Sequence, residues 1–189
     1  RGLGDVYKRQ PFADREKEIE KFWRDNDIFK KSMENRKEGE TYTFYDGPPT
    51  ANGKPHIGHV LTRVIKDMIP RYQTMKGKMV PRKAGWDTHG LPVELSVEKA
   101  LGITKEDIGK KISVADYNAA CRKDVMKYTK EWEDLTHQMG YWVDMKHPYI
   151  TYDNRYIETL WWLLKQLHKK GLLYKGYTIQ PYSPAAGTG

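Results

Sequence analysis

Residues 42–75 constrain the course of this chain more tightly than any other stretch. Tyr42-Thr-Phe-Tyr45 is short, aromatic and β-branched, which reads as a strand. It runs straight into Asp46-Gly47-Pro48-Pro49, a turn by composition, and a second tight turn follows at Asn52-Gly53. From Ile57 to Met75 apolar residues recur at Ile57, Val60, Leu61, Val64, Ile65, Met68, Tyr72 and Met75, the spacing of a helix. Pro70 predicts a kink in it and Gly77 its end. Residues 79–83 read as the next strand, leading into Gly85-Trp-Asp-Thr-His-Gly-Leu-Pro92. Strand, turn, helix and strand, with polar residues at the strand ends, open a parallel α/β unit.

Outside that unit the pattern is mostly helical. Residues 13–26 place Ile19, Phe22 and Trp23 on one helical face, a second short turn holds Ile28 and Phe29, and residues 37–40 are a polar linker. Ser113 with Asp116 predicts a capping box. From there Val114, Tyr117, Cys121, Val125, Tyr128, Trp132, Leu135 and Met139 recur at intervals of three and four until Gly140, which predicts one long helix. A further helix is expected over about 153–170, with Ile157, Leu160, Trp161, Leu164 and Leu167 inside and Gly171 as its stop. Residues 172–180 read as a strand.

The 189 residues suffice for one domain with a sizeable core. The formal charge is 33 − 25 = +8, and it is uneven. Residues 54–83 carry eight basic side chains against Asp67 alone, whereas residues 1–40 carry eleven basic and ten acidic ones. A basic zone around and after the turn suits a polyphosphate or nucleic-acid partner; a solvated basic face is the plainer alternative. The single cysteine, Cys121, excludes an internal disulfide and a cysteine-rich zinc site, and points to a reducing, cytoplasmic setting. No apolar run approaches the roughly 18 residues of a membrane span, and no signal peptide is visible. Residues 1–10 show no period and read as a non-native leader, and the turn-like run ending at Gly189 reads as a piece of a longer protein.

The chemistry concentrates at His56-Ile57-Gly58-His59, where the turn meets the helix. Imidazoles and bare backbone amides at a helix N-terminus form an anion site, and Gly58 removes a side chain that would hold a phosphate away. Metal ligation by the two histidines lacks a Glu-x-x-His partner or a cysteine pair, so no metal site is expected. Ordinary surface or capping histidines are the remaining alternative. For Asp87 the plain alternative is a helix cap ahead of Gly90-Leu-Pro92, and Trp86 reads as core.

At this point the chain resembles the class I aminoacyl-tRNA synthetases. DGPPTANGKPHIGH (46–59) is similar to their signature, and GWDTHGLPVE (85–94) and EIEKFWRDNDIF (18–29) are similar to the isoleucine branch. The ending YKGYTIQPYSPAAGTG (174–189) is similar to the run into that branch's inserted editing domain, so the resemblance covers about residues 12–189. It implies the first part of a Rossmann-like parallel-sheet catalytic domain over 41–180, an N-terminal helical segment over 11–40, and an approach to a missing editing domain over 181–189. It also implies ATP-dependent activation of isoleucine and transfer to tRNA(Ile), with Mg2+ accompanying ATP.

In residue terms the resemblance places His56 and His59 on the phosphates of ATP as catalytic groups, and Asn52, Gly53 and Gly58 against ATP through the backbone. Gly47 and Pro48 would line the amino-acid pocket, and Asp87 would hold the substrate ammonium. His89 and Glu94 would approach the pocket. Choosing isoleucine over valine is a one-methylene problem, of which isoleucine enzymes are the standard illustration, and it calls for an editing site outside these residues. The lysine-rich loop that closes on the phosphates and the anticodon-binding helices would also lie elsewhere, so these residues alone are expected to bind ATP weakly and not to charge tRNA. Lys123, Lys169 and Lys170 read as solvated helix faces. The rival readings are a valine or leucine synthetase, a small HxGH nucleotidyltransferase, and a synthetase-like RNA-binding module without catalysis.

Overall fold

A computed structural model describes residues 11–185 and Gly189. The leader assigned to residues 1–10 lies outside the described residues, as do 186–188. The chain divides into two compact units, one ending at Tyr152 and the other beginning at Asp153.

In the first unit, α1 (Phe12–Asp25) and α2 (Ile28–Glu34) precede β1 (Phe44–Tyr45), α3 (Ile57–Met75), β2 (Arg82–Trp86) and α4 (Leu91–Leu101). A short 3-10 turn (Lys105–Asp107), α5 (Val114–Val125), α6 (Thr129–Gln138) and β3 (Asp144–Ile150) complete it. Among the described residues, three strands form one sheet in the order β1-β2-β3, and both pairings are parallel. Phe44 faces Arg82 across the first pair; Gly85 faces Tyr149 and Trp86 faces Ile150 across the second. A register shift separates Lys83, opposite Asp144, from Gly85. The predicted α/β class and parallel sheet are therefore present, with the core between sheet and helices. One cluster joins Ala51, Trp86 and Trp132, and a second joins Ala84, Tyr141 and Val143. Trp86 is core, as its sequence context indicates.

Several elements differ from the sequence expectation, each for a local physical reason. The single helix expected over 114–139 is two. The chain turns at Met126, Lys127 and Tyr128, because the Tyr128 amide donates to the Ala51 carbonyl at 2.9 Å rather than within the helix. Ser113 caps α5 by accepting from the Asp116 amide at 3.0 Å, but its hydroxyl also donates to the Asp116 carboxylate at 2.6 Å. The strand expected over 79–83 instead runs Arg82–Trp86, reached through a bridge of Thr41 with Met79. β3 was unmarked by alternation, since His147 and Pro148 interrupt it. In α4 the apolar residues Leu91, Val93, Leu95 and Val97 alternate instead of following helical spacing, and Gly90, at φ 105°, starts it in place of a polar cap.

α3 runs unbroken through Pro70, whose carbonyl accepts from the Thr74 hydroxyl at 2.8 Å. Its burial is the reverse of a simple amphipathic helix. Arg63, Pro70 and Thr74 are buried, while Ile57, Leu61, Met68 and Met75 are exposed.

In the second unit, α7 (Asn154–Lys169) forms where expected, capped by Asp153, whose carboxylate accepts from the Arg155 amide at 2.9 Å. Gly171 at φ 70° follows it. Leu160, Trp161, Leu164 and Leu167, expected inside, are exposed. No strand forms over 172–180: β-formers become a strand only with a ladder partner.

Candidate functional site

The mouth of α3 is built by two histidines that cap each other. His56 is the N-cap residue in extended backbone, and its Nδ1 accepts from the Gly58 amide at 3.1 Å. In return the His56 amide donates to His59 Nδ1 at 3.1 Å. This is the reciprocal arrangement of a capping box, with imidazoles in place of hydroxyl and carboxylate. A backbone N–H can only donate, so both Nδ1 atoms must be unprotonated, and each neutral ring carries its proton on Nε2. The His56 and Gly58 amides are thus filled, and each ring offers its Nε2–H as a donor. The same occupancy removes both Nδ1 atoms from metal binding.

The two rings lie 3.8 Å apart between centroids, and His59 meets the edge of Trp132 at 4.7 Å. Burial pushes the His59 pKa below its ordinary value, and the neighbouring His56 and Arg63 push it the same way. His59 is therefore a neutral donor at pH 7. At Gly58 an added Cβ would stand 3.0 Å from His56 Cε1 and crowd the ring.

Two backbone segments meet beside this mouth. The Asp87 amide donates to the Pro49 carbonyl at 3.0 Å, and Thr50 bridges Asp87 in parallel. The Asn52 side-chain amide donates to the Pro92 carbonyl at 3.1 Å. Residues 49–52 are thus tied to Asp87 and Pro92, bringing Pro48 and Asp87 close together. Asn52 spends its side chain on this tie. Gly53 accepts from the Trp132 indole at 2.9 Å through its carbonyl, and Gly47 accepts from Lys66 Nζ at 3.0 Å. Asp87 is not the N-cap of α4, a place that Gly90 takes; among the described residues its carboxylate accepts from the His89 amide, at 3.4 Å. His89 Nδ1 lies 3.3 Å from the Thr151 hydroxyl, which also meets the Thr88 hydroxyl at 2.7 Å.

The support beneath the turn was largely missed from sequence. Asp46 is 2% exposed and accepts from Lys66 Nζ at 2.9 Å and from the Tyr141 hydroxyl at 3.0 Å. Arg63 Nη1 stands 3.7 Å from its other oxygen, and the Tyr149 hydroxyl donates to its backbone carbonyl. Burial, together with the Asp46 charge, raises the Tyr141 pKa far above the usual phenol value, so its hydroxyl stays a donor. Burial lowers the Arg63 pKa against the opposing pull of Asp46 and Tyr141. One signal was available: His56, His59, Arg63 and Lys66 follow the i, i+3, i+7, i+10 spacing of one helix face. Tyr141, Tyr149 and Thr151 carried no such mark.

Among the described residues, no group of three or more histidine, cysteine, aspartate or glutamate side chains is placed to hold a metal ion. Nor is any described helix long and apolar enough to cross a membrane.

The family model described as tRNA synthetases class I (I, L, M and V) matches residues 18–189. An isoleucine–tRNA ligase of Bacteroides thetaiotaomicron is 80% identical over 173 residues, which are 92% of this chain and 15% of that protein. The isoleucine–tRNA ligases of Cytophaga hutchinsonii and Clostridium kluyveri are 62% and 58% identical, over 96% and 97% of the chain and 16% and 18% of their own lengths. The chain thus spans less than a fifth of these curated relatives. Among solved structures, a leucine enzyme of Agrobacterium radiobacter K84, in a ternary complex with tRNA and LeuAMS, aligns with TM-score 0.62 at 22% identity. The alignment covers 94% of this chain and 21% of that one, and shows a shared fold.

Proposed function

We propose, from the premise that this chain belongs to the class I tRNA synthetase family (I, L, M and V), that it forms the phosphate-binding part of an isoleucine–tRNA ligase. The observation that carries the proposal is the joining of the two-histidine helix mouth to the Asp87 segment through Pro49 and Asn52. The identity to isoleucine–tRNA ligases, 58–80% for the relatives above, favours isoleucine over the family's other amino acids.

In this reading the isoleucine carboxylate attacks the α-phosphorus of ATP. A bond from carboxylate oxygen to phosphorus forms, the bond to the bridging oxygen breaks, and pyrophosphate leaves with the electron pair. The Nε2–H groups of His56 and His59 donate to phosphate oxygens as charge gathers on them. Because both rings are neutral and held by backbone amides, they reach the transition state with their donors already oriented. Asn52, Gly53 and Gly58 supply the backbone wall against ATP. Gly47 and Pro48 line the amino-acid pocket, and the Asp87 carboxylate, which among the described residues accepts one long amide contact, is available for the substrate ammonium. Mg2+ arrives on the phosphates as part of the substrate. The isoleucyl group then passes to tRNA(Ile), with the remaining length of the protein supplying tRNA recognition, in the cytoplasm.

Isoleucine-dependent ATP–pyrophosphate exchange by the full-length protein tests this directly. Exchange driven by valine or leucine in preference to isoleucine would overturn the choice of substrate. In the same assay His59→Ala is expected to slow adenylate formation by ~10²-fold with little change in isoleucine binding, as for a group that acts mainly on the transition state. Asp87→Ala should behave oppositely, weakening isoleucine binding by about tenfold or more, because a charge-assisted contact is lost. Unaltered affinity would leave Asp87 a purely structural role.

A further inference from the structure

We infer that Trp132 is a positioning residue for His59, its indole holding the Gly53 carbonyl and the His59 ring together so that α6 fixes where the second imidazole presents its outward donor. The inference rests on the reading of His59 given above.

Trp132 is 2% exposed and packs in one cluster with Ala51 and Trp86. Its indole N–H donates to the Gly53 carbonyl at 2.9 Å, and its ring meets His59 at 4.7 Å with the planes 65° apart. A Cβ added at Gly53 would meet nothing within 4 Å, so no side chain could anchor this part of the turn there, and the indole holds it through the Gly53 carbonyl. One turn earlier the Tyr128 amide holds the Ala51 carbonyl, which is what broke the expected long helix in two. Trp132 is itself fixed from behind: the Thr136 hydroxyl donates to its carbonyl at 2.7 Å, and Arg63 donates to that hydroxyl at 2.5 Å.

The bond from the His56 amide settles which nitrogen of His59 carries the proton, but not the tilt of the ring. That tilt is bounded by the His56 ring on one side and the indole on the other. Small misplacement of a transition-state donor is enough to lower a rate by one to two orders of magnitude.

A double-mutant cycle in the full-length protein tests this, with isoleucine-dependent ATP–pyrophosphate exchange expressed per active site titrated by adenylate formation. Trp132→Leu is expected to lower kcat about tenfold with the isoleucine KM within about twofold. In a His59→Ala background the same change should cost less than about threefold, because the group it positions is gone. Trp132→Phe keeps an aromatic ring but lacks the N–H, and should fall between; it carries the cycle if the leucine variant does not fold. If His59→Ala slows the reaction but the two substitutions multiply independently, Trp132 only supports the fold and the inference is overturned. If His59→Ala leaves the rate unchanged, the underlying reading of the site fails and the inference falls with it.

Discussion

Replacing Asp46 with alanine is expected to cost about 3–5 kcal/mol in the stability of residues 41–87, as for a buried ion pair that loses one partner. The carboxylate accepts from Lys66 and Tyr141 and stands beside Arg63, in a place almost closed to water. Lys66 is one-third exposed and can turn to solvent, but Arg63 and Tyr141 are at most 5% exposed and cannot. Their charge and hydroxyl would remain buried without an acceptor. The loss should be read as a lowered opening free energy for the β1 and α3 amides, by native-state hydrogen exchange on the full-length protein. Lys66→Ala is the internal comparison and should cost about 1 kcal/mol or less, because a half-solvated pair is weak. Equal costs for the two would show that the carboxylate does not hold this turn.

The second large effect is expected at Gly85. A Cβ there would lie 2.3–2.6 Å from three atoms of the Tyr149 ring, closer than carbon atoms can approach. The ring cannot swing aside at low cost, because Tyr149 faces Gly85 in the β2–β3 register and its hydroxyl is bonded to the Asp46 carbonyl. Gly85→Ala should therefore destabilise the β2–β3 pairing by about 3 kcal/mol, the upper range for overpacking a tight site. Combining it with Tyr149→Val should recover part of that loss, since the smaller side chain makes room. No recovery would mean that the strain lies elsewhere. Gly85 opens the GWDTHGLPVE segment and is packed against Tyr149.

The comparison of individual residues shows what kinds of signal a sequence carries. The strand-to-turn passage at 42–49 and the histidine pair at the start of α3 were legible because proline, glycine and an N-cap act within a few residues of themselves. The capping partnership of His56 and His59 is equally local, although which nitrogen points outward needed coordinates. Asp46 was visible only as the first residue of a turn. Its partners come from 20 to 103 residues away, at Lys66, Tyr141 and Tyr149, and no spacing rule links them. The break between α5 and α6 was illegible for the same reason: the apolar period continues across it, while the bond that opens it comes from Ala51.

By itself the sequence determined where the chain must turn, where α3 begins, and that a pair of imidazoles sits at its mouth, since each depends on residues in covalent proximity. Only the tertiary structure decided which face of α3 turns inward. Periodicity marks the apolar stripe of Ile57, Leu61, Met68 and Met75, yet the opposite stripe with Arg63 and Thr74 is buried. The physical reason is that Asp46, Thr136 and Arg82 supply Arg63 and Thr74 with polar partners inside, which offset much of the cost of taking these groups out of water.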